Sequence, residues 1–428
     1  MTIPLDRLYH YIENLCHEIW PESVIIYRFF PHGSKDLTDL TYLRDTYTRQ
    51  QLMVSPYIFC HDQEPLDYDR YETATKHTPA EVDFVQQIGS IKHNIRDYPI
   101  DIWDRALLLH CEQNSCELAK YEHDRFIGVY YWSHALIARD WFRYAEHVKQ
   151  EKQIQKTFLI YNRAWSGTRE YRLKFTEHLI RLGIQNHCKM SLNPVEPELG
   201  IHYELHKFAN VAWRPSRVLE DFFPVSTADS HYSADFDIED YSATAIEVVL
   251  ETLFSDTRTH LTEKTLRPIA CGQPFILAGT PGSLDYLRSY GFKTFGHIWD
   301  EQYDQATNSQ HRLIVIADLM KQITNWAPEV REQKLAQAQA VADYNRQHFF
   351  SKEFFDLITQ ELKDGLETAF AQLASLNTSS EWLELSSRML ALSETPNIDS
   401  PMAELTGQEW ELATETARNY YTKNIKRK

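Results

Sequence analysis

Residues 261–295 read LTEKTLRPIACGQPFILAGTPGSLDYLRSYGFKTF, and three elements follow one another in that stretch. TEKTLRPIACG (262–272) is predicted as a helix, with Thr262 able to supply the N-terminal cap and Glu263 in the first turn. QPFILAG (273–279) reads as a short buried strand. PGSLDYLRSYG (281–291) reads as a second helix, Pro281 suiting its first turn and Gly291 its C-terminal cap. Immediately upstream, IEVVLETLF (246–254) is rich in β-branched residues and reads as another strand. Strand, helix, strand, helix is the pattern of a parallel sheet with crossover helices.

The same alternation extends in both directions. TFLIYN (157–162) is predicted as a strand, Thr168–Leu182 as an amphipathic helix and FANVAW (208–213) as another short strand. Before these, SVIIYRFF (23–30), LMVSPYIFC (52–60), DRALLLH (104–110) and RFIGVYYW (125–132) have the content of strands covered on both faces. Leu5, Leu8, Ile12, Leu15 and Ile19 recur at helical spacing, and a helical pattern runs from Ser133 to about Lys149. The polar run KQEKQIQK (149–156) reads as a linker, and beyond Arg312 the text is almost wholly helical. The expectation is an α/β chain of two Rossmann-like domains facing across a cleft, 1–150 and 151–350, followed by a helical extension, 351–428.

Composition narrows the function. The chain has 428 residues, with 44 Lys and Arg against 61 Asp and Glu, a net charge of −17. Such a surface repels polyanions, so an anionic ligand must meet a local basic pocket. No apolar run approaches the roughly 20 residues of a spanning helix, and the N-terminus lacks the apolar core of a signal peptide. Six scattered cysteines fit neither a zinc site nor a redox motif and read as reduced thiols of a cytoplasmic protein.

Two segments carry phosphate-binding chemistry. At 262–267, a capped helix start combines free amides and the positive dipole end with Lys264 and Arg267, which share one face. Glu263 is placed to accept hydrogen bonds from vicinal ribose hydroxyls. The same residues would also make an ordinary surface helix start with a solvated Glu and Lys. In YNRAWSGTREYRLKF (161–175), a strand end leads through Ser166 and Gly167 into a helix, with Arg163, Arg169, Arg172 and Lys174 concentrating positive charge. No Walker loop is present, and a solvated basic face is the alternative reading.

Three polar strand ends mark the N-terminal half: CHDQEPLDYDRY (60–71), LLLHCEQNS (107–115) and YYWSHALIARDWFRY (130–144). A residue that removes a proton must lie within hydrogen-bond reach of the group it deprotonates. Asp62, Glu64 and His134 are the candidates, each equally able to orient a substrate or to serve the fold. The triplets DYD (67–69) and DFD (235–237) invite a metal-bridged diphosphate. Cationic side chains can neutralise the same charge, and no metal is expected.

The pattern T-E-K-x-x-R-P-x-x-x-G-x-P-F-I-L-x-G, closing on L-R-x-x-G-F-x-T-F, resembles the nucleotide-binding segment of GT-B glycosyltransferases. It is nearest to the fucosyltransferase-like and exostosin-like groups and to uncharacterised relatives in tailed bacteriophages; the three N-terminal strand ends resemble the same phage-type group. The resemblance implies that Glu263 binds the donor's ribose and Lys264 its phosphates, with Arg267 as a phosphate partner; from the strand end at 161–175, Arg163 is expected to reach the donor's pyrophosphate, with Ser166 beside it and Thr262 at the cap of the other segment. It implies a GT-B-like fold and a glycosyltransferase that uses a nucleotide-diphosphate sugar as co-substrate, with no further cofactor. Hydroxymethylpyrimidine in phage DNA is the acceptor it suggests, in the host cytoplasm if the chain is phage-encoded. A glycan or small hydroxyl compound as acceptor, and a non-catalytic nucleotide- or glycan-binding module, are the alternatives.

Overall fold

The structure is a computed structural model that describes residues 7–20, 23–28, 55–69, 71, 106–123, 126–147, 151–216, 219 and 237–376. Asp235, the segment beyond residue 376 and the basic tail 423–428 lie outside the described residues. The chain divides into two compact units. One comprises Asp6–Cys111, Cys116–Ser133 and Thr359–Lys428; the other comprises Met1–Leu5, Glu112–Ser115 and His134–Ile358.

The first unit holds a four-stranded parallel sheet in the order β1 (Ile25–Arg28), β2 (Tyr57–Cys60), β3 (Ala106–His110), β4 (Ile127–Tyr130). The strands pair in register Ile25↔Tyr57, Tyr57↔Ala106 and Leu107↔Ile127. β2 and β3 are buried throughout, as their unbroken apolar text requires of inner parallel strands. Helix α1 (Leu8–Ile19) buries Leu8, Ile12 and Leu15 of the predicted apolar stripe, together with Tyr9 and Cys16, while Ile19 is half-buried and Leu5 lies outside the described residues. Short helix α2 is Leu118–His123, and the end of α1 meets the long helix Lys352–Leu376, where Trp20 stacks on Phe370 at 5.3 Å. Gly365 lies so close to β4 that a Cβ there would sit 3.0 Å from Val129 Cγ1.

The second unit holds a parallel sheet of β5 (Lys156–Ile160), β6 (Cys188–Met190), β7 (Thr244–Leu250) and β8 (Phe275–Ala278), in the order β6-β5-β7-β8. Chain order thus reverses between β5 and β7, which places a topological switch point there. The helices are α3 (Ser133–Trp141), α4 (Tyr171–Arg181), α5 (Ile238–Ala243), α6 (Glu263–Cys271), α7 (Ser283–Ser289), α8 (Ser309–Thr324), α9 (Pro328–Phe350) and α10 (Lys352–Leu376). Ser133 of α3 and the residues of α10 from Thr359 count with the first unit. Arg139 of α3 donates to the Phe349 and Phe350 carbonyls, so a buried cation closes the C-terminal end of α9.

The 262–272 helix forms as its text predicts. Thr262 Oγ1 accepts from the Lys264 amide at 3.3 Å, and Gly272 takes the left-handed conformation at φ 65°. The Gln273 amide then reaches back to the Pro268 carbonyl at 2.8 Å, completing a Schellman stop. Three expectations change. FANVAW is not a strand: the Ala209 and Asn210 amides donate to the Glu170 carboxylate, and a 3-10 turn follows at Val211–Trp213. The strand neighbouring β5 is instead Cys188–Met190. Pro281 lies before Gly282, the N-cap of α7, and not inside its first turn. No helix among the described residues is long and apolar enough to cross a membrane.

Candidate functional site

In a parallel sheet the crevice at a switch point opens at the carboxyl ends of the strands. In the second unit those ends are the loop after β5, residues 161–170, and the loop after β7, residues 251–262, which feeds α6. Most of the side chains singled out in the sequence of this unit lie on these two loops or on the helix starts beside them.

A set of buried carboxylates and one buried cation holds the loops in place. Glu196 accepts from the Trp165 amide at 2.7 Å and the Ser166 amide at 3.0 Å, shaping the turn after β5. Glu251, at the end of β7, accepts from the Thr262 amide (3.0 Å), the Thr262 hydroxyl (2.9 Å), the Thr265 hydroxyl (2.6 Å) and the Thr252 amide (3.1 Å). That carboxylate fixes where α6 begins. Arg172 joins the loops by donating to Ala164 and Leu250 carbonyls, each at 2.6 Å. Burial lowers its pKa from the ordinary arginine value.

The basic run 163–174 therefore separates into individual roles. Arg172 is a tie between loops; Lys174 is paired with Glu177 at 2.6 Å; Arg169 bonds the Ser166 carbonyl at 3.3 Å and lies 3.8 Å from Glu198. Arg163 is half-buried and its guanidinium has no partner among the described residues. Ser166 is buried at its backbone, bonded to Glu196 through its amide, and its hydroxyl makes no hydrogen bond among the described residues. Next to Arg163, Asn162 is fully buried, and neither its carboxamide oxygen nor its nitrogen finds a partner among the described residues.

At the start of α6, Glu263 is buried and Lys264 bonds it at 2.7 Å, with the Thr262 hydroxyl 3.3 Å from the same ammonium. His134, on the first turn of α3, places Nε2 3.6 Å from the other Glu263 oxygen, and its ring meets His260 edge-on at 5.2 Å between centroids. Burial, then the neighbouring His134 and Lys264, hold the His260 pKa well below the ordinary histidine value. His134 was expected among acceptor-side residues; it belongs instead to the same unit as Glu263 and touches it.

Arg267 departs from its expected role. It is the fifth residue of α6, and four residues of helix carry it about 6 Å back from the carboxyl edge. There it meets the middle of β7: Nη2 bonds Glu247 at 2.5 Å, Nε bonds the Tyr241 hydroxyl at 3.1 Å, and the guanidinium lies over the Tyr161 ring at 4.5 Å. Although burial alone would lower its pKa, the Glu247 carboxylate holds it above the usual arginine value. Arg267 is a core cation with a carboxylate partner, set back from the carboxyl edge of the sheet.

In the first unit, Asp62 follows β2 and is buried. Tyr9 donates to it at 3.0 Å, Tyr131 donates to its second oxygen, and the Ser133 hydroxyl donates to its backbone carbonyl. Burial raises its pKa to about 6, against the pull of the two tyrosine hydroxyls. Glu64 is half-buried two residues further on. Glu196, Glu247, Glu251, His260 and Asn162 were not singled out in the sequence. Glu247 and Glu251 did leave a signal, as charged residues inside a run that otherwise reads as fully buried strand.

Fold and site together define an α/β protein with two parallel four-stranded sheets, one of them carrying polar and cationic groups at its switch point. Comparison with protein-family models, with curated proteins and with solved structures finds no match to this chain in any of the three.

Proposed function

We propose that the second unit seats the nucleotide of a nucleotide-diphosphate sugar and that the protein is a glycosyltransferase of GT-B type. The observation that carries this reading is the pairing of an unpartnered Arg163 with a capped α6 start bearing Glu263 and Lys264, on the two loops of one switch point. Arg163 supplies a cation to the diphosphate and Ser166 a hydroxyl donor. Lys264 is held by Glu263 in the free protein and exchanges part of that contact for phosphate oxygens, which frees Glu263 to accept from ribose hydroxyls. The buried, unpartnered Asn162 carboxamide has one donor side and one acceptor side to offer a bound ligand, a reason for its orphaned state.

Glycosyl transfer also needs a base for the acceptor hydroxyl. Asp62 suits that role by its own surroundings. With its pKa raised to about 6 it is ionised at neutral pH, yet a better proton acceptor than an exposed carboxylate. The acceptor favoured is a glycan or small polyhydroxy compound over DNA, because duplex binding relies on several phosphate-directed cations. Of the four cations between Arg163 and Lys174, three are engaged with the protein itself.

The test is a melting-temperature screen with UDP, GDP, ADP and dTDP, followed by release of nucleoside diphosphate from the matching sugar nucleotides. One nucleotide should stabilise the full chain, by about 2.7 kcal/mol at a hundredfold excess over its dissociation constant. Lys264→Ala should abolish that shift. Stabilisation without any release of nucleoside diphosphate, with or without hydroxyl acceptors, would leave a binding module and remove the transferase.

A further inference from the structure

A second site lies away from the nucleotide seat. The segment 296–300, the last turns of α8 and the start of α9 enclose a recess of about 410 Å³, lined by His297, Trp299, Asp300, Gln322, Trp326 and Lys334, with Leu319 on its floor. Its volume falls in the range of small-molecule sites. Its place in the sheet is fixed by aromatic contacts: Trp299 stacks on Phe295 at 4.7 Å, and Phe295 meets Phe275 at 5.1 Å. Phe275 is the first residue of β8, so this wall belongs to the amino edge of the parallel sheet. The nucleotide seat is at the carboxyl edge.

The lining has a particular chemistry. Trp299 is 5 % exposed and its indole N–H has no hydrogen-bond partner. Trp326 is half-buried, and Lys334 lies 4.8 Å from its ring centroid while donating to the Ile298 carbonyl. That lysine fixes the Trp326 ring to the 296–300 segment. The side chains of His297 and Gln322 make no hydrogen bond among the described residues, and Asp300 uses one carboxylate oxygen, accepting from the Gln302 amide at 2.9 Å. The half-buried Trp326 offers ring surface, the buried Trp299 offers its indole N–H, and a carboxylate, a carboxamide and an imidazole around them make the lining mostly polar.

We propose that this recess binds a neutral glycan, one or two pyranose rings deep. A pyranose has a C–H face to lay on an indole and a rim of hydroxyls that both donate and accept. An anion is disfavoured, because the one lining cation is already engaged by Ile298 and Trp326 and Asp300 adds negative charge. A purely apolar ligand would strip water from Asp300, Gln322 and His297 with nothing in return. The site does not depend on the reading of the nucleotide seat.

Calorimetry and saturation-transfer NMR on the full chain, with maltoheptaose, cellohexaose, chitohexaose and mannohexaose at up to about 10 mM, test this. At least one should bind, without added nucleotide, and Trp326→Ala should weaken it by about tenfold or more. Gln322→Ala and Asp300→Asn, at exposed positions, should each weaken it several-fold, and they carry the test if Trp326→Ala fails to fold. None of these changes should alter the melting shift given by a nucleoside diphosphate, which separates this site from the nucleotide seat. Absence of binding by all four glycans, binding indifferent to all three variants, or AMP binding that the variants abolish would overturn the proposal.

Discussion

Replacing Arg267 by Met tests whether the cation belongs to the core or to a ligand. Arg267 is 4 % exposed, and its partner Glu247, in the middle of β7, is fully buried. Their oxygen–nitrogen distance is 2.5 Å, and the Tyr241 hydroxyl lies 2.5 Å from the second Glu247 oxygen. Methionine preserves most of the stem and removes the charge. Glu247 would then be left with one neutral donor, and breaking a buried pair from one side costs about 3–5 kcal/mol. With a urea slope of about 2 kcal/mol per molar, 4 kcal/mol moves the midpoint down by about 2 M. Glu247→Gln should fall in the same range, since it strands the guanidinium. The double variant Glu247→Leu with Arg267→Met removes both charges and should recover a large part of the loss, because a buried pair is roughly neutral against apolar groups of similar size. The assay is urea unfolding followed by circular dichroism, with hydrogen exchange on β7 and α6 to locate the transition. If Arg267→Met unfolded at the wild-type urea concentration yet lost its melting shift with a nucleoside diphosphate, the core reading would be wrong. Arg267 would then be a phosphate ligand.

Asp62→Asn should abolish transfer while leaving nucleotide binding intact, and the wild-type rate should rise with pH through about 6, measured as nucleoside diphosphate release with saturating acceptor. The stability linkage has the opposite slope. A carboxyl near 6 in the fold and about 3.9 unfolded holds its proton longer when folded, so its contribution is full below about pH 4 and lost as pH rises through 6, about 3 kcal/mol in all; Asp62→Asn should flatten that part of the urea-midpoint profile. Arg163→Ala should weaken nucleoside diphosphate binding about tenfold or more, by calorimetry, whereas Arg169→Ala should change it little, because Arg169 already serves the Ser166 carbonyl and Glu198. Gly272→Ala forces a Cβ into the left-handed region at φ 65° and 3.2 Å from Arg346 Cδ, for a loss of about 1–2 kcal/mol in urea unfolding.

What could be read in advance was what is written locally. Thr262 and Gly272 bracket α6 through contacts within a few residues, so the helix was legible with its caps. The inner strands β5 and β7 were legible as short, largely apolar runs, and β8, at the edge of the sheet, as another run buried throughout. β6 was not, since it is three residues long and its middle one, Lys189, is exposed. FANVAW looked like a strand because its aromatics are buried, but what arranges it is the Glu170 carboxylate almost 40 residues earlier, accepting from two of its amides.

The cations show the limit most clearly. In sequence, Arg163, Arg172, Lys264 and Arg267 are interchangeable positive charges at the starts of helices. In the fold they divide according to which acceptors already claim them. Those acceptors are remote: Leu250 lies 78 residues from Arg172, and Glu247 lies 20 from Arg267. Yet part of the division was open to deduction. A strand that reads as wholly buried cannot hold Glu247 without a cation, because a lone charge there is too costly to keep. The helix after such a strand runs antiparallel to it, so a residue at its start lies by the strand's end and a residue one turn in lies by the strand's middle. Glu247 is three residues before the end of β7, which selects Arg267 over Lys264 as its partner. A cation counted toward a ligand must first be subtracted against the buried acids of the sheet beneath it. On that subtraction Arg267 leaves the proposed phosphate site, and Lys264 and the unclaimed Arg163 are the two cations on which nucleotide binding should depend.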